Sequence, residues 1–226
     1  MDSTIAYEKK YTNGYGTMHP ESHVIRFYEH FLKREFNIDG SDGKNILDFG
    51  CGNGTHPLFF ASKGFNTYGI DVSKESIRIA RDRMKDGNFK VIEHGENISD
   101  IFDVDFDIIF ANQSLYYLSD EEMKITLKQM DDKLNNNGIV FFTMMGNKNY
   151  YYNHIKEDMK DGRHKVVLSG RLNEESCINF IKDQEDMVKK FHMFELYFIG
   201  YYDYILREGS SFHYIFIGRK KIREKL

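Results

Sequence analysis

From Asn45 onward, apolar runs alternate with amphipathic stretches. The runs at 45–50, 66–71, 89–93, 106–112 and 138–144 are apolar on both faces and predict strands. The stretches at 56–63, 74–85 and 120–134 carry apolar residues at helical spacing and predict helices. Buried strands separated by helices predict an α/β chain with a mostly parallel sheet and helices on both faces. Ahead of this core, Val24, Phe27, Tyr28, Phe31 and Leu32 recur at helical spacing, which predicts a helix over 21–36. Residues 1–19 form an aromatic, turn-prone lead-in. The rhythm breaks at 146–172, and alternation returns as an expected helix near 173–184. Two long strands near 190–206 and 211–218, around a Gly-containing turn, predict a C-terminal antiparallel hairpin.

Local punctuation agrees with this pattern. Ser73 or Asp71 can cap the helix that begins near Lys74. Asn136, Asn137 and Gly138 make a turn between a helix and the next strand. No repeat, low-complexity segment or Pro-rich linker divides the 226 residues, so one domain is expected over 1–226. Its expected parts are 1–40, a lead-in and helix; 45–145, a binding core; 146–172, an excursion; and 173–226, a C-terminal helix and hairpin.

Charge narrows the partners. The formal net charge is -4, and basic residues cluster only in the short tail from Arg219 to Lys225. Nucleic acid is therefore not an expected partner. Cys51 and Cys177 are the two cysteines, too few and too awkwardly placed for a disulfide framework. A reducing, cytoplasmic setting is the expectation. No apolar run approaches membrane-spanning length. No Cys or His spacing suggests zinc, and no metal is expected.

The richest chemistry lies at the end of the first core strand. Asp48, Gly50, Cys51, Gly52 and Gly54 form a turn in which glycine permits positive φ and close approach of a ligand. In open α/β sheets the ligand crevice lies at the carboxyl ends of strands. Asp71 ends the next strand, where a carboxylate can accept both hydroxyl protons of a ribose. The spacing is G-x-G-x-G. The nicotinamide fingerprint would want glycine at position 55, which is Thr.

Over residues 45–145 the chain resembles the class I methyltransferases that use S-adenosylmethionine. Leu47 to Gly54 matches the family's first motif, Gly69 to Val72 its second, and Phe106 to Leu115 its fourth strand. Gly95-Glu96-Asn97 stands where the family has a Gly-Asp pair. The resemblance implies a Rossmann-like seven-stranded sheet ordered 3-2-1-4-5-7-6 and an N-terminal lid ordered by the cofactor. It implies Asp71 on the ribose, Val72 beside the adenine, and Glu96 or Asn97 on the adenine amino group. It sets Asp48 near the methionine amino group. The strand end carrying Asn112 and Gln113 would face the methionine and the methyl. Cys51 reads as a small turn residue without a reactive role.

A base is needed only if the acceptor's proton is hard to lose. His19, His23, His154, His164 and Tyr117 are candidates for it, each open to a structural explanation, with His19, His23 and Tyr117 preferred. Tyr15, Tyr116, Tyr151, His154 and Arg163 are candidates for contact with substrate, as are His164 and Arg171 through their charge. His56, beside Pro57 at a helix start, reads as structural. The expected reaction is methyl transfer to a small-molecule acceptor, with oxygen preferred. A nicotinamide-dependent oxidoreductase and a non-catalytic adenosyl-binding subunit are the alternatives.

Overall fold

The computed structural model describes residues 8, 10–12, 14–93, 95–170 and 172–221. Expectations resting on Arg171, or on the tail beyond 221, lie outside these residues. The chain forms two compact units, Asp2–Phe110 and Ala111–Leu226.

The first unit holds helix α1 (Ser22–Arg26), continued as a π-helix over Phe27–Glu35, then β1 (Asn45–Phe49), α2 (Thr55–Ala61), β2 (Asn66–Asp71), α3 (Lys74–Arg83), β3 (Asn88–Val91), α4 (Ile98–Ile101) and β4 (Phe106–Ala111). Strand β1 pairs in parallel with β2 and β4, and β2 with β3. Apolar side chains on both faces bury this sheet. Ile46, Leu47, Ile70, Ile108 and Phe110 are each at most 1% exposed. The Phe110 ring lies 5.4 Å from Phe60 and 6.2 Å from Phe27, which ties α2 and the π-helix to β4. Burying each such side chain contributes roughly 1.5–3 kcal/mol. Ser73 is the cap of α3, its side chain accepting from the Ser76 N–H.

The second unit holds α5 (Asp120–Lys133), β5 (Leu134–Met145), β6 (Ile155–Asp158), β7 (His164–Leu168), β8 (Glu174–Ile178), α6 (Gln184–Lys190), β9 (Phe194–Tyr202), β10 (Ile205–Leu206), β11 (Gly209–Ser210) and β12 (His213–Lys220). Strand β12 is antiparallel to both β5 and β9, so the C-terminal hairpin forms as expected.

The seven-stranded sheet runs β3-β2-β1-β4-β5-β12-β9. This differs from the expected 3-2-1-4-5-7-6 in its last two labels, because the short strands β6–β8 and β10–β11 intervene in the chain outside this sheet. Two element expectations are corrected. The helix near 173–184 is instead strand β8, followed by a helix that starts at Gln184. The excursion at 146–172 is likewise built into strands β6 and β7, which form an antiparallel sheet with β8. Pairing with β7, including a Lys165–Glu175 ion pair of 3.0 Å, overrides the helical preference of the two glutamates. The long strand near 190–206 begins at Phe194 because α6 occupies the chain up to Lys190.

Candidate functional site

Parallel pairing of β1 with β2 sets Asp48 opposite Gly69 and Phe49 opposite Ile70. The chain then turns at Gly50, whose N–H donates to the Ile70 carbonyl at 2.8 Å. The N–H of Cys51 donates to the same oxygen at 3.0 Å. Gly50, Gly52 and Gly54 have φ of 78°, 53° and 78°, a region that favours glycine. A Cβ on Gly54 would come within 3.0 Å of Ala80, so α3 packs directly on the turn. The sheet register thus brings the turn beside the end of β2 and its carboxylate. Asp71 is 9% exposed and accepts from the Gly52 and Ser73 N–H groups, each at 2.9 Å. Burial raises its pKa, and the two N–H groups partly offset that. Two of its lone pairs are so used, and others are left for a ligand's hydroxyls.

Asp48 lies 2% exposed at the end of β1. Neither of its carboxylate oxygens takes a hydrogen bond from the described residues. Burial lifts its pKa, against the pull of His56. A buried, unsatisfied carboxylate beside a glycine turn suits a ligand that brings a cation or donors. Cys51 is buried with its thiol pKa well above the ordinary value, from burial and then the Asp71 and Asp48 charges. That leaves it inert as a nucleophile.

The described residues of the lead-in lie across this turn as a strap. Tyr11 is 8% exposed, and its hydroxyl stands where a Cβ on Gly52 would approach to 2.3 Å. Burial, then Asp71, raises its pKa. Asn53 donates to the Thr17 carbonyl at 3.0 Å, and Thr55 to the same oxygen at 2.5 Å. Glu8 accepts from the Ser73 hydroxyl at 2.6 Å and from the Glu75 N–H at 3.2 Å. Glu21 meets His56 Nε2 at 2.7 Å, while His56 Nδ1 faces Asp48 at 3.7 Å. The second distance is an ion pair without a hydrogen bond. Burial opposes the imidazolium, yet Asp48 and Glu21 push its pKa up to about 9. Burial also opposes ionisation of Glu21, and His56 outweighs it to hold that carboxyl below its usual value. Tyr11, Glu8, Thr17 and Glu21 were not among the expected site residues. Nothing in their local sequence marks them, since each acts on residues far along the chain.

The remaining candidates are placed as follows. His19 is exposed, and His23 is buried in α1 at 4%. Tyr15 is 51% exposed with its ring edge-on to Tyr11 at 5.5 Å. Val72 is half-buried after β2, and Glu96 is exposed, accepting from the Glu93 N–H at 2.9 Å. Asn97 caps α4 by accepting from the Ser99 N–H.

In the second unit, Asn112 is buried and accepts from the Thr143 hydroxyl at 3.1 Å. Gln113, at φ 56°, donates its N–H to the same hydroxyl at 2.7 Å and its side chain to Tyr202 at 3.0 Å. Tyr116 and Tyr117 pack at 4.6 Å between ring centroids. Tyr116 lies 5.8 Å from His213, whose ring stacks on Tyr202 at 5.0 Å. His213 and Tyr202 join this cluster without having been expected, because β9 and β12 bring them together only through pairing. Tyr151 donates to Glu174 at 3.1 Å, and His154 Nδ1 meets the Tyr150 carbonyl at 3.0 Å. Arg163 engages Asp161 through two nitrogens, at 2.5 and 3.0 Å, and donates to the Tyr117 carbonyl at 3.3 Å. His164 opens β7.

The sheet order and the glycine turn next to a strand-end acid define the class I methyltransferase fold. A family profile for the methyltransferase domain matches residues 21–194, and the chain belongs to that family. A Geobacillus protein named as a methyltransferase is 25% identical over 135 residues, 58% of this chain and 54% of its own. The chain thus matches about half the length of that relative. A cypemycin N-terminal methyltransferase from Streptomyces is 30% identical over 87 residues, 38% of this chain and 35% of its own. In fold, a SAM-dependent methyltransferase of Anabaena variabilis superposes with a TM-score of 0.67 at 18% identity, over 97% of this chain and 93% of that one. No described helix is long and apolar enough to cross a membrane.

Proposed function

We propose that this methyltransferase moves the methyl of S-adenosylmethionine to a small-molecule acceptor, with oxygen as the nucleophile, by in-line displacement without a metal. The observation that carries the reading is the buried Asp71 carboxylate hydrogen-bonded to Gly52 in a turn of three positive-φ glycines. The residues fit the cofactor on two counts. Asp71 keeps lone pairs for the ribose hydroxyls, and Asp48 offers unsatisfied carboxylate oxygens to the methionine ammonium. Val72 and the Glu96–Asn97 pair take the adenine side. When bound, S-adenosylmethionine supplies a methyl on an electrophilic sulfonium.

The chain's own work is then to bind, orient and exclude water, and orientation alone is worth on the order of 7–11 kcal/mol. On this reading the described residues between Glu8 and Glu21 act as the lid, with Tyr11 covering Gly52. His19, exposed on that strap, is the base candidate of the first unit for an acceptor that holds its proton. A second reading, an amine acceptor, is favoured by the similarity to the Streptomyces N-terminal methyltransferase.

Calorimetric titration tests the proposal. S-adenosylhomocysteine should bind with one-to-one stoichiometry and NADH should not, and the reverse result would sink it. Incubation with methyl-labelled donor and a panel of alcohols, phenols and amine-terminated peptides decides the acceptor. Label confined to the peptides would replace oxygen by nitrogen.

A further inference from the structure

We propose that His56 is the positioning residue of this site, an imidazolium clasp that fastens the lead-in strap through Glu21 and holds the Asp48 carboxylate charged toward the ligand. The inference rests on the glycine turn being the adenosyl site. His56 opens α2 one residue past Thr55, so it is carried by the same turn that Gly50, Gly52 and Gly54 build. Its side chain is 13% exposed, and its ring is held edge-on to Phe110 at 5.3 Å. Each ring nitrogen faces a different carboxylate, Nε2 that of Glu21 and Nδ1 that of Asp48. A neutral imidazole has one donor and one lone pair, so either tautomer would turn a lone pair on a carboxylate. Only the doubly protonated ring both donates to Glu21 and turns a positive N–H toward Asp48, the latter at ion-pair distance.

The two carboxylates lie on separate parts of the chain. Glu21 is the N-cap residue of α1, at the end of the strap, and Asp48 ends β1. One proton therefore joins the strap to the base of the crevice. Asp48 also has no hydrogen-bond donor among the described residues, so the imidazolium is the positive charge that compensates it. Other charged and titratable groups bear on this pair. His23 in α1 acts on Glu21, while Asp71, Cys51 and Tyr11 interact electrostatically with Asp48. When His56 gives its proton to solvent, Glu21 loses its anchor and Asp48 is left facing the Asp71 charge uncompensated.

The sign of the pH effect follows. The imidazole's folded pKa lies above its ordinary 6.5, so its contribution is fully present below that value and is lost as pH rises through about 9. The test titrates S-adenosylhomocysteine into wild-type protein, His56→Gln and Glu21→Gln across neutral and alkaline pH, with the His56 ring proton followed by NMR in the ligand-free protein. Wild-type affinity should fall on the alkaline side, while His56→Gln binds roughly tenfold more weakly already at neutral pH and loses the His56-dependent part of that fall. Glu21→Gln, at a site 25% exposed, should weaken binding in the same direction and move the ring titration down toward the ordinary histidine value. A ring that titrates at the ordinary value in wild type overturns the clasp. So does an affinity unchanged in both variants, or an alkaline fall identical in wild type and His56→Gln, which would belong to the ligand's own amine. If His56→Gln does not fold by circular dichroism, Glu21→Gln and the wild-type ring titration decide. Failure of wild type to bind S-adenosylhomocysteine at any pH would instead overturn the adenosyl reading itself.

Discussion

Asp71 shows how one side chain can serve both fold and ligand. Its carboxylate fixes the Gly52 and Ser73 N–H groups and, on the proposed function, keeps its remaining lone pairs for a sugar. Asp71→Asn preserves the shape and removes the charge. It should weaken S-adenosylhomocysteine by about 1–3 kcal/mol, the cost of losing a charged acceptor. Calorimetry reads this directly, and an unchanged affinity would strip Asp71 of the ribose role. At this scale the sequence was informative where chemistry is local. Gly52 and Asp71 stand in one short motif and its neighbouring strand end, which spacing paired, while the place of Asp48 came from the resemblance. Tyr11 and Glu21 were invisible because their partners, Gly52 and His56, lie some 35–41 positions away and meet them only after the lead-in folds back. His56 was read as a structural residue, and two opposed carboxylates give it charge as well.

Elements were legible when their ends carried caps. Ser73 before α3, and Ser119 before α5 with its reciprocal Glu122 bond, satisfy N–H groups that a helix start leaves open. Ser73→Ala should cost about 1 kcal/mol in urea unfolding, and slightly more if Glu8 then loses its hydroxyl partner. A stability equal to wild type would show that Glu8 alone caps α3. The same logic could have found α6. Asp183 accepts from Asp186, acids fill the first turn and lysines the last, yet the expected helix was set about ten residues too early. The reason is competition. Glu174 and Glu175 favour a helix, and cross-strand partners on β7 make the segment a strand. Such partners are tertiary facts that no local pattern encodes.

For the whole molecule, buried runs and the order of motifs were enough to anticipate the parallel core and its reversed final pair. The extra strands β6–β8 were missed because the tyrosine-rich excursion lacks clean alternation. On the proposed function, the strap is a moving part. Trypsin should cut after Lys10 in ligand-free protein, and S-adenosylhomocysteine should slow that cut several-fold by holding Tyr11 and Thr17 down, as ligand-linked local stability requires. Equal cleavage rates would mean that the segment does not respond to the ligand. The strap's position has a consequence for traffic. On the proposed function, a spent donor beneath Tyr11, Thr17 and Glu21 is released when these residues lift from the glycine turn and from α2. Turnover is then expected to be set by the peeling of a short peptide rather than by the making of a carbon bond.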